Sequence, residues 1–376
     1  MKLLTRLNLC LAVSTLVGAG FVTHSLIPTA SAQSAAPTSS LKAGKADLKS
    51  AGSLTFGPGA VLFVGDSTAG KIFALDTADT RPVANAAEVS GVNLKIAALL
   101  GTTPDQILIN DVAVNPMSHR AYLSVSRGTG PDAQAAIVRT TAGGNVELLA
   151  LDNIKNASAD LPNPVSNAPD QRGRSQRNLA ITDIAYVNGR VVIAGLSNEE
   201  FASNLRSVPF PFNGAVSKGT SVEIFHGSHG RFETQAPVRT FTAYKVGNED
   251  VILASYTCTP LVIFKTSELG TANAKVEGKT VAELGAGNTP LDMVPYSKDG
   301  KNYLLMANTA RGVMKVSADN LGQYPAITKQ TEITGAPYQT LADLKGVQHI
   351  KSLDDGRALM LVADNNVQSL KALPLP

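Results

Sequence analysis

The 376-residue chain contains no tryptophan, few aromatic residues and only two cysteines. Each scarcity excludes something. The lack of Trp and the small number of other rings argue against carbohydrate binding by aromatic stacking. Cys10 lies in the apolar N-terminal stretch, so beyond it Cys258 stands alone and no intrachain disulfide can form. A lone thiol is either a small buried hydrophobe or a ligand or reactive group. No excess of either charge exists beyond residue 32, where 31 basic residues face 30 acidic ones. That balance argues against nucleic acid or an anionic membrane as partner. Nothing after the N-terminal region is apolar for long enough to span a bilayer. Known nucleophile and phosphate-binding motifs are also lacking. There is no G-x-S-x-G, and GDSTAGK at Gly65 to Lys71 is too short for a P-loop and sits in a hairpin loop.

What is present begins with a leader. Lys2 and Arg6 precede an apolar stretch from Leu7 to Val22, and Ala30-Ser31-Ala32 forms an A-x-A cleavage site. Residues 1–32 read as a signal peptide, which places the mature chain in the periplasm or outside the cell. Residues 33–52 are small, polar and Ala/Ser-rich, and read as a disordered lead-in. Residues 53–376 are expected to form one domain.

That domain repeats itself. DVAVNPMSHRAYLSVS from Asp111, DIAYVNGRVVIAGLS from Asp183 and DMVPYSKDGKNYLLMAN from Asp292 share one plan. An aspartate opens a short apolar strand, a polar turn follows, and a second, more apolar strand ends in a small polar residue. The second strand recurs six times, at Val61–Val64, Ala121–Val125, Val191–Ala194, Val251–Ala254, Tyr303–Met306 and Leu359–Val362, spaced by about 50 to 70 residues. A third strand often follows, as at Lys71–Leu75 and Gly312–Val316. A β-sandwich has no use for a hairpin repeated six times, and a parallel β-helix repeats at about 20–25 residues. The fold class is therefore all-β, a β-propeller of six to seven blades. Residues 78–107, with LKIAALLG as a short helix or outer strand, and 141–178 are the places where a seventh blade could lie.

The propeller geometry groups residues that are distant in the chain. The innermost strand of a blade starts on the face where the second strand ends, so strand openers and the loops after second strands share one face. The openers are Asp111, Asp183, Asp292 and, in the last copy, His349; Phe241 breaks the pattern in the fourth. The loops add Asp66, Arg127, Glu199, Glu200, Cys258, Arg311 and Asp364. Converging carboxylates repel unless a cation lies among them, so Asp111, Asp183, Asp292 and His349 form a candidate divalent-metal or cationic-ligand site. The competing reading is that each Asp caps backbone N–H groups and only stabilises its turn. Arg127, Arg311, Glu199 and Cys258 complete the candidate ligand-binding set.

Three further features stand apart. His226-Gly-Ser-His229 can aim two imidazoles at one metal, with Glu223 or Glu233 adding an oxygen, or can be an exposed turn. Cys258 with His349, or with that pair, would suit copper or zinc. Arg172, Arg174 and Arg177 could capture an anion or pair with Glu199 and Glu200, and Pro209-Phe210-Pro211-Phe212 reads as a partner contact or a plug on a blade edge.

The repeats, above all DVAVNPMSHRAYLSVS, resemble YVTN-type and related quinoprotein-dehydrogenase-like β-propellers, many of them exported. Proteins of that kind include lactonases, subunits of redox enzymes and pure binding modules, so the resemblance implies the fold and leaves activity open. No subgroup's catalytic motif is present. The expected function is binding of a small molecule, metal ion or partner protein at the channel mouth by a monomeric, non-enzymatic propeller. The alternatives are a metal-dependent hydrolase or lactonase, or an accessory subunit of a periplasmic redox system.

Overall fold

All six of the apolar second strands lie second from the inside in an antiparallel sheet. The computed structural model describes residues 37–169, 175–213, 216, 218–270 and 275–376. The six sheets are blades, numbered here in chain order of their inner strands. Blade 1 runs outward from Leu54–Phe56 through Val61–Asp66 and Lys71–Asp76 to Ile154–Asp160 and Lys42–Gly44. Blade 2 is Ile107–Val114, Ala121–Arg127, Gln134–Thr141 and Asn145–Leu148; blade 3 is Asp183–Val187, Arg190–Leu196, Ser203–Pro209 and Thr220–His226. Blade 4 is Thr240–Val246, Glu249–Ser255, Pro260–Lys265 and Val276–Leu284, and blade 5 is Pro290–Lys298, Lys301–Asn308, Gly312–Ser317 and Tyr338–Leu341. Blade 6 has Val347–Ser352, Arg357–Asp364 and Val367–Pro374.

Apolar packing between blades closes the ring, and it does not follow chain order. Phe63 and Ile72 of blade 1 pack with Ile184, Ile193 and Phe210 of blade 3. Leu62 and Leu75 of blade 1 pack with Tyr122 and Ile137 of blade 2. Blade 2 then meets blade 6 through Leu123, Val125, Leu359 and Leu361. The remaining seams join blades 6 and 5, 5 and 4, and 4 and 3. The circular order is 1–3–4–5–6–2, so blade 1 sits between blades 2 and 3. The chain builds the inner strands of blade 1, crosses to make blade 2, and returns to add Ile154–Asp160 to blade 1, antiparallel to Lys71–Asp76.

The crossing segment also seals the ring. Val89 exchanges both backbone hydrogen bonds with Leu370, at 3.1 and 2.9 Å, and so acts as an outer strand for three-stranded blade 6. The Asn93 side chain accepts from Gln368 N and donates to Asn366 O. LKIAALLG lies in a helix, Val92–Leu100, whose buried Val92 and Ile96 cover blades 2 and 6. No seventh blade is present among the described residues; residues 78–107 are this crossing, and 141–178 contain the return strand.

Two expectations are corrected here. The lead-in is not disordered over its described part: Lys42–Gly44 pairs with Ile154–Asn156, and Leu41, Ala46 and Ala51 are buried. Buried Asp66 fastens this segment by accepting from Lys49 N, Ser50 N and the Ser50 hydroxyl. The Pro209–Phe212 loop is not an outer plug either. Phe210 and Phe212 stack edge to face and pack on Phe63 inside the seam between blades 1 and 3. The leader, residues 1–32, lies outside the described residues. No helix among the described residues is long and apolar enough to cross a membrane.

Candidate functional site

The inner strands carry the four openers to one place because of how three of them begin. A β-bulge shifts the register between Ile109 and Asp111, between Pro290 and Asp292, and between Val347 and His349. An extra residue at a strand's start re-aims the next side chain. Asp111, Asp292 and His349 thereby place one donor atom each within 4.8 Å of the others.

At the centre of this group stands a residue that the sequence reading passed over. The Lys351 ammonium lies 3.3 Å from Asp111 Oδ1 and 3.0 Å from Asp292 Oδ2. His349 Nδ1 lies 3.4 Å from Asp111 and 3.6 Å from Asp292, charge contacts and not full hydrogen bonds. The positive charge required by converging carboxylates is therefore supplied by the chain itself. Lys351 is two residues past His349 in the same strand, so period-2 alternation puts both on one face; that spacing was the available signal.

Each aspartate also staples two blades together. Asp111 Oδ2 accepts from Leu54 N of blade 1 (2.7 Å), Asp292 Oδ2 from Ile350 N of blade 6 (3.1 Å), and Asp183 Oδ2 from Phe241 N of blade 4 (2.9 Å). The other oxygen of each accepts from the next residue in its own strand, Val112, Met293 or Ile184. Around the ring, aspartate blades 2, 5 and 3 alternate with acceptor-free blades 6, 4 and 1. Phe241, which breaks the sequence pattern, is thus the backbone donor that its neighbour requires. The turn-stabiliser reading holds in an altered form, since the carboxylates cap an adjacent blade and not only their own turn.

The electrostatics separate the three carboxyls. Burial opposes ionisation of Asp111, but the Lys351 ammonium and His349 outweigh it and hold the carboxyl down at about 2. Burial likewise disfavours charge on His349, yet the Asp111 and Asp292 carboxylates raise it to about 9, so the imidazole is a cation at neutral pH. Lys351 is raised further by the same carboxylates against burial. Asp183 differs. Burial pushes it up to about 7, the more distant Lys351 opposes this, and Asp292 and Asp111 add repulsion. Among the described residues no cation contacts it, and it borders a cavity: Asp183, Asp292 and Lys351 line a channel space of about 320 Å³, together with Phe56, Val114 and Phe241.

The other four candidates do not reach the channel. Arg127 donates to Gln134 and to Gly101 O, and Arg311 donates to Ala286 O, both at the surface. Glu199 accepts from Asn163 and lies 3.8 Å from Lys218. Arg177 donates to the Ser67 and Val165 carbonyls, so it does not pair with Glu199; Arg172 and Arg174 lie outside the described residues. Cys258 gathers with His226 and His229 within 4.8 Å, and not with Asp111, Asp292 and His349. The two histidines of that pair differ: His226 is buried and His229 exposed, and Glu233 binds both imidazoles, while Glu223 pairs with Lys275.

These features belong to a β-propeller with a charged central girdle. No protein-family model matches the sequence, and no curated protein matches it. Solved structures with a similar course of strands include a glucose dehydrogenase (15% identity, TM-score 0.39, 89% of this chain and 98% of that one). A PQQ-bound aldose sugar dehydrogenase from Streptomyces coelicolor is similar at 11% identity and TM-score 0.31, over 89% of this chain and 96% of that one. The Swd1 β-propeller domain of Myceliophteria thermophila is similar at 9% and 0.34, over 86% and 83%. At such identities the likeness concerns the fold alone.

Proposed function

We propose that this protein is an exported, non-catalytic binding propeller that receives a small cationic ligand in its central channel against Asp183. The observation that carries this reading is the unequal treatment of three equivalent carboxylates. Asp111 and Asp292 have both oxygens engaged by backbone N–H groups and share the Lys351 and His349 cations. Asp183 has its backbone bonds and a hydroxyl donor, Thr240, but no cation in contact among the described residues, and it borders a cavity of small-molecule size. A ligand bearing an ammonium group would supply the missing charge and relieve the burial penalty on the carboxylate.

A divalent ion at the same place, as a metal-dependent hydrolase or lactonase would need, must share the carboxylates with an ammonium already 3.0 and 3.3 Å away. Repulsion between the two cations favours the binding reading. The test is a thermal-shift and calorimetric panel of small primary and quaternary amines on the full chain. A binding amine at 100 times its Kd should stabilise the wild type by about 2.7 kcal/mol and leave Asp183→Asn unmoved. Equal binding by Asp183→Asn, or no response to any amine alongside retained divalent metal lost in Asp111→Ala, would overturn the reading.

A further inference from the structure

A second constellation lies away from the channel, at the seam where the outer strands of blades 3 and 4 run parallel, Val222–Ile224 beside Val276–Gly278. His226 ends the blade 3 strand, and a single turn brings His229 back so that the two rings lie 3.9 Å apart, centroid to centroid. Cys258 comes from the loop between the second and third strands of blade 4. Cys258 and Thr259 both hold left-handed backbone, with φ of 67° and 57°. This is uncommon for residues with a Cβ, and it turns the loop so that the thiol joins the histidines.

Glu233 organises the pair. Its Oε2 meets His226 Nδ1 at 2.8 Å and its Oε1 meets His229 Nδ1 at 2.7 Å. A carboxylate on Nδ1 fixes the tautomer that leaves Nε2 as a lone-pair donor, the arrangement found behind metal-bound imidazoles. His226 Nε2 is buried and has no partner among the described residues. Neither has Glu283 Oε2, although Glu283 is fully buried and its other oxygen accepts from Gly227 N at 2.6 Å. Gly227, between the histidines, permits this approach: a Cβ there would stand 2.7 Å from Glu283 Cγ. Each orphaned buried polar atom costs about 1–3 kcal/mol. A fully hydrogen-bonded surface turn would not leave the buried His226 nitrogen without a partner.

We propose that His226, His229 and Cys258 bind a zinc ion, with Glu233 orienting both imidazoles. Two nitrogens and a thiolate suit the borderline-soft zinc ion, and a water completes its four-coordination. His229 is partly exposed, which gives the ion a way in. The site takes ligands from blade 3 and blade 4, so the metal acts as a clasp across a seam that parallel outer strands and apolar packing also hold. It is independent of the channel reading.

The test uses the full chain, stripped with chelator and titrated with zinc alone and with cobalt(II) alone. One equivalent of zinc should survive desalting. Cobalt should give a thiolate-to-metal charge-transfer band in the near ultraviolet, with intense visible bands of a four-coordinate ion. Cys258→Ser should remove the charge-transfer band, and His229→Gln, at a partly exposed position, should weaken zinc by at least about 100-fold. Glu233→Gln should retain the stoichiometry and lose about 10–100-fold in affinity. Asp183→Asn should change none of this, which separates the site from the channel. The proposal is overturned if wild type gives no thiolate band, if copper and not zinc is retained, or if His229→Gln binds as tightly as wild type.

Discussion

Replacing Lys351 by Met removes the ammonium that holds the central carboxylates together and keeps most of the side chain's apolar stem. Asp111 and Asp292 then face each other with only His349 between them, each less than a tenth exposed. Breaking a buried ion pair by deleting one partner costs about 3–5 kcal/mol, because the remaining charge has no compensation. With about 2.1 cal/mol/K of unfolding entropy per residue over the roughly 340 residues of the ring, a loss of that size lowers Tm by about 4–7 °C at pH 7. The sign of the pH dependence follows from Asp111. Its folded-state pKa of about 2 lies below the ordinary value of 3.8, so its pairing adds stability above that value and loses it as pH falls. The gap between wild type and Lys351→Met should therefore close as pH drops from 7 toward 3. Adding Asp292→Asn to Lys351→Met should recover part of the loss at pH 7. Calorimetry across that range measures all three. An unchanged Tm at pH 7, or a gap that widens in acid, would refute the counter-ion role of Lys351.

Three further outcomes are expected. His349 is raised to about 9 from 6.5 and Asp183 to about 7 from 3.8, so both contribute stability at lower pH that is lost as pH rises through those values; Tm should peak between about pH 4 and 6.5, and Asp183→Asn should flatten the fall between pH 5 and 8. Val89→Pro deletes the N–H that bonds Leu370 O and should destabilise the ring by about 2–3 kcal/mol in urea, with the C-terminal strand becoming the first site of proteolysis; wild-type stability would show that the crossing segment does not seal blade 6. Arg206 is fully buried, and its Nε and Nη1 have no partner among the described residues. Burial lowers it to about 10, so Arg206→Met should be neutral or stabilise by about 1–4 kcal/mol, and a loss above about 1 kcal/mol would sink that account.

The blades were legible because a buried second strand must be apolar on both faces and must be followed by a turn. Those demands are local, and Val61–Val64 through Leu359–Val362 satisfied them one after another. The openers Asp111, Asp183, Asp292 and His349 were legible for the same reason, since a blade's inner strand begins on a known face. Lys351 was missed because it sits inside a strand and not at its head, and the bulges that aim its neighbours leave no mark in residue type. Charge balance demanded a cation in the channel, and the chain supplied one from two residues past His349.

By itself, then, the sequence determined which segments become strands, that they stack as repeated blades, and that three aspartates and a histidine lie in the inner ones, although of the four only Asp183 stands first in its strand. Local periodicity and turn chemistry suffice for that. The order of the blades around the ring was decided only in three dimensions, because packing between seams such as Phe63 with Phe210 and Leu123 with Leu361 has no local signature. So was the alternation of carboxylate and backbone donor around the channel, which exists only in the order 1–3–4–5–6–2. The gathering of His226, His229 and Cys258 is of the same kind: side chains from two blades meet because those blades lie side by side.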